Sequence, residues 1–346
     1  MKRILIILAL IVVTIQPVAA AEYTAPAAPE SAQKYMPQET ESFGDGLWFV
    51  IKSALLHLQP GVAEAAQTCL CVIGVTMLLS VIRGFTGVSK QIVSIVGALS
   101  LGVLLFRSSD SLIRLGTQTV EQMSDYGKLL IPTLTAAAAA GGTPTTSAAL
   151  YTGTVIFSSA LTTLVAKLMV PLIYVLMALG IADSASGEKT FQTLNNFVKW
   201  LATWIVKTVL YVFTGYMSIT GVISGSVDAA AIKAAKLTIS GAVPVVGGII
   251  SDASETILLS AGILKNSAGI YGAVATIAIC IGPFLRIGAH YLLLKVTAAI
   301  CGVFGDKLSD GLLKNMTTAM GLIMAMTGTV CLLLLISIVC FLRSIA

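Results

Sequence analysis

Apolar runs of roughly spanning length recur along this chain, near 66 to 82, 92 to 106, 148 to 181, 200 to 223, 268 to 285, 287 to 304 and 317 to 342. A transmembrane helix needs about 20 predominantly apolar residues, and a soluble core has no use for so many such stretches in succession. Hydrophobic residues make up 56% of the chain, charged residues 11%, and the mean hydropathy is +0.94. These values exclude a soluble enzyme on a single anchor. The expected fold is all-α: a polytopic transmembrane helix bundle of about seven spans after a signal peptide, with amphipathic outer helices.

The first residues read as a targeting segment. Lys2 and Arg3 precede the apolar stretch Ile4 to Ile15, and Ala19, Ala20 and Ala21 form a small-residue cleavage site before Glu22. This defines a signal peptide over 1–21, with an uncleaved first anchor as the competing reading. Cleavage would leave the mature N-terminus outside the cytoplasm. Residues 22–65 then form an extracytoplasmic arm, rich in Ala, Pro, Glu and Ser, that turns into an amphipathic helix around Leu47 to Leu58. Trp48 and Phe49 suit a membrane interface. The multi-span domain follows over 66–346.

The stretch 148 to 181 holds Lys167 and Pro171 and suits either one kinked helix or a hairpin of two short ones. Seven spans place Arg83, Lys90, Arg286 and Arg343 on the cytoplasmic side, as the positive-inside rule asks. Residues 107–147 then form an outer loop. Within it Leu112, Ile113, Leu115, Val120, Met123 and Leu129 alternate with charges at a spacing that suits a helix lying along the membrane or against a partner.

A broken segment over 237–265 is the most specialised stretch. Pro244, Gly247 and Gly248 interrupt its apolar run, and Asp252 and Glu255 share a face of any helix that follows. It suits a re-entrant loop lining a cavity or gate, since irregular backbone at membrane depth survives where protein or water satisfies it. A folded outer loop with a helix cap and surface ion pairs is the plainer alternative. A second amphipathic piece, Val227 to Ile239, leads into it.

Several basic residues fall inside spans. Arg286 and His290, four apart, share a helical face, whereas Lys295 points elsewhere and is expected to be paired in the bundle interior. Lys207, close to Trp200 and Trp204, is explained by snorkelling. Gly97 and Gly102, Gly269 and Gly272, and Gly215, Gly221 and Gly225 allow close helix approach. Cys69, Cys71, Cys280, Cys301, Cys331 and Cys340 all lie in apolar stretches without a Cys-x-x-Cys pair, and the two histidines are far apart. Neither a metal site, a cofactor nor an enzyme is expected.

Two passages resemble one family. Lys-Leu-Thr-Ile-Ser-Gly-Ala-Val-Pro-Val-Val-Gly-Gly-Ile-Ile-Ser-Asp-Ala-Ser-Glu-Thr and Ile-Cys-Ile-Gly-Pro-Phe-Leu-Arg-Ile-Gly-Ala-His-Tyr, both within 236 to 291, look like the text of the stage III sporulation protein AE family of endospore-forming bacteria. The N-terminal half matches in layout. The resemblance implies a subunit of a multi-protein assembly in the mother-cell membrane around the forespore, connecting the two cells. Its partners would be other stage III sporulation membrane proteins, the lipid bilayer and further copies of itself, with no nucleic acid. The matched positions that define a candidate pathway or gate are Pro244, Gly247, Gly248, Asp252, Glu255, Pro283, Arg286 and His290, to which Lys295 is added. A permease-like or channel-forming bundle competes with a passive scaffold and with a free-standing secondary transporter; the single broken segment weakens the last.

Overall fold

The computed structural model of the protein describes residues 25–37, 42–85, 89–140, 144–186, 189–219, 267–303 and 307–345. Among them every regular element is an α-helix: α1 Glu30–Gln33, α2 Phe43–Leu56, α3 Gln59–Gly84, α4 Lys90–Ala140, α5 Pro144–Ser186, α6 Lys189–Ile219, α7 Ser267–Val303 and α8 Lys307–Ile345. Six of these, α3 to α8, are long and apolar enough to cross a membrane. The protein is an all-α membrane bundle. The signal peptide, the piece from Val227 to Ile239 and the broken segment with Pro244, Gly247, Gly248, Asp252 and Glu255 lie outside the described residues.

Local chemistry sets several boundaries. The Ser42 side chain accepts the Asp45 N–H at 3.2 Å and caps α2, with Asp45 in the first turn where an anion suits the helix dipole. Pro60 occupies the first turn of α3, where its missing N–H costs nothing. Pro132, Pro171 and Pro283 lie inside α4, α5 and α7, and none of them ends its helix. Packed neighbours hold the chain helical through each proline.

These continuous helices correct the sequence expectation at two points and choose between its alternatives at a third. The stretches 268 to 285 and 287 to 304 are one helix, α7, so six spans replace seven among the described residues. The 148 to 181 stretch is one helix and not a hairpin. Residues 107 to 140 are the second half of α4, not an outer loop: Leu112, Ile113, Val120 and Met123 are buried, and the helix packs on α5, α7 and α8 of its own chain. At about 1.5 Å per residue α4 is about 76 Å long, well beyond a hydrocarbon layer of about 30 Å. Its exposed side is apolar at Ile92, Val96, Leu99, Val103 and Phe106, then charged at Arg114, Glu121, Asp125 and Lys128.

Side-chain register gives the helix directions. Ser109 meets Met316, Gly116 meets Ile323 and Gly127 meets Leu334, so α4 and α8 run parallel. Gly102 meets Ile181 and Asp110 meets Tyr174, which makes α5 antiparallel to α4. Gly153 lies against Tyr216 and Phe157 stacks on Phe213, so α6 reverses again. Gly288 lies against Met324 and Gly321 against Tyr291, so α7 opposes α8; Gly61 against Arg286 and Thr76 against Cys301 set α3 parallel to α7. The six helices therefore alternate. One end of the bundle gathers the C-terminal ends of α3, α5 and α7, and the end of α6 and the start of α7 belong to the other.

The core is α8. Flanked by α4, α5, α6 and α7, it has every residue from Ala319 to Val339 buried. A helix apolar all round suits a protein interior as well as lipid, and its hydroxyls are satisfied within the helix: Thr329 donates to the Ala325 carbonyl at 2.7 Å and Ser337 to that of Leu333 at 2.8 Å. Glycines bring neighbours close, as expected at Gly97, Gly102 and Gly272; Gly215 faces open space.

A polar cavity between the arm and helices α3, α4 and α7

The arm does not hang free of the bundle. The helices α1 and α2 pack on α7. Ser31 donates to Gln122 Oε1 of α4 at 2.8 Å, Ser53 donates to the Lys34 carbonyl at 3.1 Å, and the Tyr35 and His57 rings meet edge to face at 5.8 Å. Tyr35 is buried with its hydroxyl against Gly282; a methyl group there would lie 2.6 Å from Tyr35 Oη. Glycine at 282 therefore lets the arm reach the helix backbone.

Under this arm lies a cavity of about 380 Å³ whose walls include Lys34, His57, Gln118, Gln122, Pro283 and Arg286. Pro283 cannot donate to the carbonyl of Ile279, four residues earlier, and Ile279 lines the same cavity. The Arg286 guanidinium forms an ion pair with Glu64 on α3, its stem laid over Gly61, where a methyl would come within 3.0 Å of Cγ. Arg286 Nε is buried without a hydrogen-bond partner among the described residues. One turn on, His290 is 2% exposed and its Nε2 is likewise unpartnered.

Glu64 also borders a second polar recess. This groove of about 520 Å³ between α3 and α4 is lined by Glu64, Gln67, Thr68, Arg107, Ser108 and Ser111. The ion pair thus stands between two recesses, each furnished with amides, hydroxyls and a cation. In a chain this apolar such groups are costly unless they contact one another, water or a solute. The arrangement is suited to holding or passing a polar solute.

Three of the residues singled out by sequence sit here: Pro283 and Arg286 on the cavity wall, and His290 directly behind. Lys295 does not, which corrects the expectation of an interior partner. It is exposed on the outer face of α7 beside Leu292 and Val296, its ammonium 6.0 Å from the Tyr291 ring centroid. A long stem on an outward face can carry its charge toward the interface, so no buried partner is required. Lys34, Glu64, Gln118 and Gln122 were not legible as site residues. Glu64 at least carried a signal, a carboxylate opening an apolar run, but its partner is 222 positions away.

An all-α membrane bundle with a polar site near the middle of α4 and α7 is the class that fold and cavity define. The family model for stage III sporulation protein AE matches residues 51–344, and the chain belongs to that family. The stage III sporulation protein AE of Bacillus subtilis (strain 168) is 26% identical over 218 residues, 63% of this chain and 54% of the relative. The chain thus spans about half the length of that curated relative. No solved structure matches it.

Proposed function

We propose that this protein is a non-enzymatic, multi-pass component of a trans-envelope assembly between mother cell and forespore. It acts with other sporulation membrane proteins, and the α3/α7 cavity is part of a path for polar solute. The observation that carries the reading is the Glu64–Arg286 pair between α3 and α7, set between two polar recesses in a largely apolar bundle. Family membership and six helices able to span support the membrane role.

The same geometry supports an orientation. Arg83, Lys90, Lys189, Lys307 and Lys314 gather at the end where α3, α5 and α7 finish, and this end is cytoplasmic by the positive-inside rule. The arm and the cavity then belong to the opposite, intermembrane side. With α7 unbroken, Arg343 also moves to that side.

The test is a pair of substitutions in a spore-forming host. Glu64→Gln and Arg286→Gln should leave the protein in the membrane and co-purifying with its partners yet reduce spore yield by at least about tenfold, the scale of a lost charged contact in a binding path. Loss of co-purification would favour a scaffold instead. Normal sporulation in both variants would remove the path.

A further inference from the structure

The geometry points to an oxyanion, a small phosphate- or carboxylate-bearing group, as what the arm-covered cavity binds, with Lys34 and Arg286 as its ligands and Glu64 as the internal competitor it displaces. This deepens the path reading above and rests on it.

Donors outnumber acceptors around the cavity. A guanidinium carries five N–H donors and an ammonium three, yet Glu64 engages only one terminal nitrogen of Arg286, whose side chain stays 41% exposed. Among the described residues no carboxylate lines the cavity, and the recorded contact of the Lys34 ammonium is the face of the Tyr35 ring at 4.8 Å. Gln122 already accepts from Ser31 through its oxygen, which leaves its NH2 group to donate; Gln118 supplies another amide. His57 turns Nδ1 onto the Ser53 carbonyl at 2.8 Å, and its other ring nitrogen has no hydrogen-bond partner among the described residues. Two cations and two amide groups around one hollow match the forked, donor-rich recognition of phosphate and carboxylate.

The competitor gives the site its exchange step. Glu64 holds Arg286 by an end-on contact from α3, and the same carboxylate borders the second groove. An oxyanion arriving beside Lys34 takes over the guanidinium, and Glu64 is released toward Gln67 and Thr68. No covalent change is involved. The cavity lies level with the stretch of α4 where exposed residues change from apolar to charged, so a soluble anion and a lipid headgroup both reach it.

Full-length protein in phosphatidylcholine nanodiscs is titrated calorimetrically with inorganic phosphate and with citrate. In a parallel arm, nanodiscs doped with phosphatidylglycerol are examined by native mass spectrometry for retained lipid. Saturable binding of either soluble anion identifies a free solute; retention of phosphatidylglycerol alone identifies a headgroup; both support the site. Lys34→Gln, a surface change on the arm that leaves the bundle untouched, should weaken binding about tenfold or more, as should Arg286→Gln. Glu64→Gln should tighten it, because the competitor is gone, and a merely structural ion pair would not give opposite signs on its two partners. Absence of binding in all arms, wild-type affinity in Lys34→Gln, or weaker binding in Glu64→Gln overturns the proposal. None of these readouts depends on sporulation, so the site can fail while the path reading stands, and the reverse.

Discussion

The helices α7 and α8 lie side by side in opposite directions, both long and both apolar, and they are put to different uses. α8 is enclosed along its whole middle, and its hydroxyls are turned back on its own carbonyls. α7 keeps an outer face of Leu292, Val296 and Ile300, and turns a proline, an arginine and a histidine toward α3 and the arm. Hydropathy alone does not separate the two. What does is where polarity is left unspent: the buried hydroxyls of α8 are satisfied within the helix, whereas α7 carries buried nitrogens on Arg286 and His290 with no partner among the described residues. The first pattern suits a tightly packed axis, the second a surface with polar groups open to a further contact.

The strongest way to break this comparison is to disturb the axis. A methyl on Gly116 of α4 would sit 2.6 Å from Ile323 Cγ2, on a stiff β-branched side chain of α8 that cannot swing away. Overpacking of this kind costs about 1–3 kcal/mol, more than the helix propensity of about 1 kcal/mol that alanine gains over glycine. Gly116→Leu should therefore lower the melting temperature in detergent sharply and deplete the protein from membranes. On the α7 side of the same axis, a methyl on Gly288 would meet only the Met324 Cε at 3.6 Å, an ordinary contact with a pliable side chain. Gly288→Ala should melt like wild type; equal loss in both variants would mean that α8 is gripped as tightly by α7 as by α4.

The axis and the cavity were unequally legible in the sequence. Helices and their apolar character follow from local composition, so the bundle was readable at once. The count of spans was not, because Pro283 and Arg286 look like a loop until α3 supplies Glu64 and the arm supplies Tyr35 to cover them. Likewise the charged face of α4 from Arg107 to Lys128 reads as a separate surface helix, when the same helix simply runs past the apolar layer. Arg286 and His290 could be paired by their four-residue spacing. Glu64, Lys34, Gln118 and Gln122 come from three other elements, and no periodicity within one segment reports contacts across such distances.

A middle-sized effect is expected where the arm meets α7. Replacing Gly282 by leucine would occupy the space of the Tyr35 hydroxyl and force the arm off the cavity, while the bundle beneath keeps its α4–α8 contacts. Gly282→Leu should leave thermal melting within about 1–3 kcal/mol of wild type but speed proteolysis within 25–37. Cleavage at the wild-type rate would show that the arm is held by Ser31 and Ala28, through Gln122 and Tyr271, and that the glycine contact is incidental.

The smallest effect sharpens the contrast between the two faces of α7 itself. Lys295 and Arg286 are both cations on one apolar helix, but nine residues apart they point to opposite sides, one outward over Tyr291 and the other inward to Glu64. A cation–π contact at 6.0 Å on an exposed residue is near the limit of useful attraction, and surface substitutions away from special features stay within about 0.5 kcal/mol. Lys295→Gln should accordingly change neither melting nor spore yield in the assay where Arg286→Gln loses function. A sporulation defect in Lys295→Gln with normal melting would mean that the outward face of α7 is also a working surface. The proposed division of this helix into a lipid-facing side and a solute-facing side would then be wrong.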